Sequence, residues 1–147
     1  MRDELRARCD RIEECYEFML AYAAQGLPAD HGSKSGGQLR VFLERGDEAL
    51  TGLANVFRQI VEREHLQPAD RYDAFIAVLD RDAGDARAAI RLVLAQPAIS
   101  SQLIDNLNAS IHVRALLTDL FLIDEIVRPQ AESGAALQQE VKAPGPS

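Results

Sequence analysis

The chain has 147 residues, 47% of them hydrophobic and 27% charged, which is the composition of a folded domain and not of a disordered segment. A net charge of −7 excludes a strongly basic surface, so neither nucleic acid nor an anionic membrane is an expected partner. Trp is absent and aromatics make up 5%, which leaves an aliphatic core, and the abundant Ala, Leu, Arg and Glu all favour helix.

The first residues, Met1–Arg8, carry charges where a secretion signal would need an apolar core. No stretch approaches the roughly 20 apolar residues of a membrane span. A cytoplasmic location is therefore expected. Cys9 and Cys15 fit a reducing compartment as free thiols, because six residues of helix separate them by about 9 Å of rise, beyond disulfide reach.

The spacing predicts a first helix over residues 3–25, with Leu5, Cys9, Ile12, Tyr16, Met19 and Ala23 alternating by four and three along one stripe. Gly26 and Pro28 end it, and the small, polar segment 29–37 reads as a surface loop. A second helix over 36–65 follows a capping box of Ser35 and Gln38. Its stripe is Leu39, Phe42, Gly46, Ala49, Leu53, Val56 and Ile60, where Gly46 and Ala49 let another helix come close.

A third helix over 68–95 opens with Pro68 in its first turn and runs through Gly84, turning Tyr72, Phe75, Ile76 and Leu79, then Ala86, Ile90, Val93 and Leu94 inward. The fourth, over 99–127, is apolar on nearly all sides in its second half and ends at Arg128-Pro129. Residues 129–147 carry little apolar area and read as a weakly ordered, mostly irregular tail. The fold class expected is all-α: a single-domain antiparallel four-helix bundle over residues 1–128.

Chemistry-bearing patterns are sparse. Glu62 and His65 have the E-x-x-H spacing by which di-iron bundles present two ligands, but the fourth helix supplies no second such pair. Asn106, Ser110 and His112 interrupt that helix with polar groups and are candidates to line a pocket between helices. The segment from His31 to Lys34 has the H-x-x-K spacing of histidine phosphotransfer bundles, although those domains carry the histidine on a helix and His31 follows Pro28 in a glycine-rich loop. The glutamates around Cys15 disfavour a reactive thiolate. No cofactor and no catalytic residue is predicted, and an enzymatic role is disfavoured.

The leading expectation is thus a cytoplasmic interaction or accessory protein that works through protein–protein contacts and associates with itself. Leu116, Leu120, Phe121 and Ile123 are the candidate interface residues, since a helix apolar all round is either central or covered by another chain. The alternative is a small-molecule- or metal-binding bundle, or an enzyme, with its site near His112. Histidine phosphotransfer is the third.

Overall fold

The computed structural model describes the backbone of residues 1–142 and the side chains of residues 1–127. Among these the elements are all helical: α1 (Arg2–Ala24), α2 (Lys34–Leu50), α3 (Leu53–Arg63), α4 (Ala69–Leu94), α5 (Ser101–Ala109) and α6 (Ile111–Lys142). No helix of the described residues is long and apolar enough to cross a membrane. The chain divides into two compact units after Leu116.

In the first unit, α1 lies against α2 and α5 and also touches α3, while α4 lies against α2 and α3. Of the stripe expected on α1, Leu5, Ile12 and Met19 are buried while Cys9, Tyr16 and Ala23 are only half-buried; Cys15 and Tyr22, outside that stripe, complete the buried face, and Leu39 and Leu43 of α2 are buried against it. Leu53, Phe57 and Ile60 of α3 and Ile76, Leu79 and Ile90 of α4 join them. Fully burying each such Leu, Ile or Phe contributes about 1.5–3 kcal/mol. Helix α4 passes through Gly84 without a break, as expected. Gly46 lets α1 and α2 approach: a Cβ there would stand 2.9 Å from Cys15 Sγ.

The helix expected over 36–65 is two helices, α2 and α3. Thr51 turns extended with ψ of 117°, and Gly52 follows in the left-handed region with φ of 76°. The apolar stripe passes through this break in register, so periodicity gives no sign of it; the Thr-Gly pair alone marks it. Arg8 of α1 donates from Nη1 to the carbonyl oxygens of Ala49 and Thr51, satisfying acceptors that the break leaves open. Asp47 in the last turn of α2 accepts from Arg87 at 3.0 Å and from Arg91 at 3.1 Å, fixing that end to α4.

Three other boundaries differ from expectation. Ser33, not Ser35, caps α2, its hydroxyl accepting from the Gly36 amide at 2.9 Å. Pro68 is the residue before α4 and not its first helical position. The helix expected over 99–127 is divided at Ser110, where ψ of 144° ends α5, and Val113 N and Arg114 N then turn back to the Ser110 hydroxyl and carbonyl. Ser is among the strongest N-cap residues, and here that preference outweighs the helical pattern around it.

In the second unit, α6 continues to Lys142 where an irregular tail was expected, and the Ala, Gln and Glu residues there have the propensity to carry a helix past Pro129. The remainder of that tail, 143–147, lies outside the described residues. Leu117, Leu120, Ile123 and Val127 are buried, and Phe121, Leu122 and Ile126 are exposed.

Candidate functional site

The most elaborate polar arrangement in the first unit joins the loop after α1 to the loop before α5. Asp30 is only 6% exposed. Its Oδ2 accepts from Arg40 Nε at 2.8 Å and its Oδ1 from the Ile99 amide at 2.7 Å. Burial pushes this carboxyl up, but the Ile99 amide, the Arg40 guanidinium and its own amide outweigh that and hold it below the usual carboxylate range. Arg40 also donates to the carbonyls of Leu94 and Gln96 at 2.9 and 2.8 Å, closing the C-terminal end of α4.

The same two loops meet a second time around Ser101. Its hydroxyl donates to Tyr22 O at 2.7 Å and accepts from Leu27 N at 2.8 Å, while its own amide donates to Leu27 O at 2.8 Å. The Tyr22 hydroxyl donates to Ile99 O at 2.7 Å. Burial raises the Tyr22 pKa, with the Asp30 carboxylate adding to the effect and Arg40 opposing it. Gly36 is obligatory beneath this network, since a Cβ would overlap the Asp30 carbonyl oxygen at 1.9 Å.

Beside Ser101 lies an open cleft of about 460 Å³ lined by Ala23, Gly26, Leu27, Pro28, Ser100, Ser101, Gln102 and Asp105. Asp105 is its one charged group. The Ser101 hydroxyl is committed to structure, and no imidazole or thiol lines the cleft to act as base or nucleophile. The arrangement can bind or orient; it offers no pair of groups for acid–base or covalent chemistry.

The polar candidates of the fourth predicted helix do not converge. Asn106 is exposed and accepts from Gln102 Nε2 at 3.1 Å, His112 is exposed on α6, and Ser110 between them caps α6. The polar side chains of that span that are buried, among the described residues, are Ser101, Asn108 and Asp119; Asn108 is 7% exposed, and neither its Oδ1 nor its Nδ2 has a hydrogen-bond partner. Glu62 is exposed on α3, whereas His65 lies beyond the helix end with φ of 50°. The two therefore do not share a helix face. Among the described residues no cluster of three His, Cys, Asp or Glu side chains could hold a metal ion.

His31 is exposed in the α1–α2 loop, its Nε2 2.9 Å from Pro97 O, and is not displayed on a helix. Burial pushes the Cys15 thiol up to about 12. Of the four interface candidates, Leu116, Leu120 and Ile123 are buried within this chain and Phe121 is 61% exposed. The sequence reading missed Tyr22, Asp30, Arg40 and Ser101 as a group because, beyond the Asp30–Arg40 pair itself, they are joined through backbone atoms 54–79 residues away. No local spacing encodes such contacts.

No protein-family model, no curated protein and no solved structure matches this chain.

Proposed function

We propose that this is a helical interaction or accessory protein that acts through protein–protein contacts and associates with itself, its first 116 residues forming an antiparallel helical bundle. The observation that carries the reading is the exposure of Phe121, Leu122 and Ile126 on α6, at 61%, 49% and 48%. An aromatic and two aliphatic side chains this close on one helix lose about 25 cal/mol per Å² of favourable burial while they face water, and a protein partner restores it. The net charge of −7 and the mixed-sign surface favour such a partner over nucleic acid. A cytoplasmic setting agrees with the free thiols Cys9 and Cys15.

A small-molecule-binding role is the second reading. The cleft beside Ser101 is the observation that favours it, in a different place from His112. It lacks the enclosure and the convergent unsatisfied polar groups of a selective pocket. A metal centre and phosphotransfer onto His31 have less support, because His65 lies beyond the end of the helix that carries Glu62 and His31 lies in a loop, so neither histidine has the helical setting those chemistries use.

Size analysis of the native protein from its own cell under reducing conditions tests the leading reading. A species heavier than the 16.2 kDa chain is expected. Migration as an isolated chain, together with saturable binding of a small molecule, would reverse the order of the two readings.

A further inference from the structure

Helix α4 buries one face with Ile76, Leu79, Ala83, Ala86, Ile90 and Val93 and presents the opposite face to solvent. That outer face is not the charged surface such a helix ordinarily shows. Its central line is Ala74, Val78, Arg81, Asp85, Ala88 and Leu92, all exposed, Leu92 at 66%. The steps along it are four, three, four, three and four, the spacing of a coiled-coil seam. At 100° per residue these six positions stay within about 40° of one direction on the helix. Gly84 flanks the line, with open space where a Cβ would stand.

The order of residues along this line is self-complementary. A second α4, running antiparallel across a two-fold axis level with residue 83, sets Arg81 opposite Asp85 of the other copy and Asp85 opposite its Arg81. The same operation sets Val78 opposite Ala88 and Leu92 opposite Ala74, large against small in every apolar layer. Within one chain Arg81 and Asp85 make no ion pair, with each other or with any described residue. Arg before Asp is also the weaker order for an i,i+4 pair on one helix.

We infer that the outer face of α4 is a homodimer seam, in which a second copy of this chain packs antiparallel on Ala74, Val78, Ala88 and Leu92, with the reciprocal Arg81–Asp85 pairs fixing the register. This rests on the self-association part of the function proposed above and places it on α4; the exposed Phe121, Leu122 and Ile126 of α6 are left for a contact of their own. One pair of helices meeting along about 27 Å belongs to the smaller class of interfaces, below about 1,200 Å² in total. A micromolar dissociation constant is the matching expectation.

Sedimentation equilibrium of the full chain under reducing conditions, with charge reversals, tests it. The wild type is expected to move from 16.2 kDa toward twice that mass through the micromolar range. Arg81→Asp and Asp85→Arg each set like charges opposite one another and should weaken the dimer at least tenfold, whereas the double reversal restores it. Leu92→Glu should also give a monomer, with an unchanged circular dichroism melt, because the side chain faces water in the single chain. A wild-type monomer at 200 μM, or a dimer indifferent to both single reversals, would overturn the seam. A dimer lost on Phe121→Ser but not on charge reversal would overturn it too, while leaving self-association intact.

Discussion

Arg40 of α2 reaches the carboxylate of Asp30 with its Nε at 2.8 Å, and the Ile99 amide holds the other carboxylate oxygen at 2.7 Å. Through this one buried anion a loop near residue 30, a helix and a loop near residue 99 are made to close on each other. Removing the carboxylate leaves the buried Ile99 amide unpaired, while the half-buried Arg40 keeps its bonds to Leu94 O and Gln96 O. Asp30→Ala should therefore destabilise the protein by about 1–3 kcal/mol, read as a lower urea midpoint with unchanged slope.

The same group predicts an acid dependence. Its pKa is depressed in the folded state, so its stabilisation is fully present above the unfolded carboxylate value of about 3.9 and is lost as pH falls through the lower folded value. Stability measured between pH 5 and pH 2 should fall less steeply in Asp30→Asn than in the wild type. Parallel acid limbs would mean that Asp30 does not contribute in this window.

Gly46 faces Cys15 with no room for a methyl group, 2.9 Å from Sγ and 3.3 Å from Cβ. Gly46→Ala should cost about 1–3 kcal/mol through overpacking, and Cys15→Ala in the same chain should recover part of that cost. The thiol itself, held near 12 by burial, should resist alkylation at pH 8 until the protein is unfolded. Additive costs in the double variant would argue that the two side chains do not touch.

Asn108 is buried with both ends of its amide unbonded. A buried unpaired amide costs about 1–3 kcal/mol, so Asn108→Leu, of similar shape, should leave the thermal midpoint unchanged or raise it by several degrees. A drop of several degrees would indicate that the amide meets a polar group after all.

The helical class is legible because Leu39, Phe42, Leu53 and Ile60, like their counterparts on α1 and α4, recur at a spacing that only helices gather on one face. The breaks at Thr51-Gly52 and Ser110 are not, since the apolar stripe runs through the first in register and Ser110 sits in a helical pattern. Tertiary contacts such as Arg8 with Ala49 O and Thr51 O stabilise a broken backbone that propensity alone does not demand. The polar residues tell the same story from the other side. Asn106, Ser110 and His112 look like a group because they are near in sequence, yet two face water and one caps a helix. Tyr22, Asp30, Arg40 and Ser101 form the real network, across separations of up to 79 residues.

That contact with another protein is what α6 is for can be tested at Phe121 itself. A photo-crosslinking phenylalanine analogue at this position, in the native cell, should yield a discrete covalent adduct to one protein, another copy of this chain included. The same analogue at the exposed Arg58 of α3 should not. Phe121→Ser should leave the fold intact, because the ring is already 61% exposed, and should abolish the adducts formed by the analogue at Leu122. No adduct from Phe121, or the same diffuse adducts from both positions, would contradict the account.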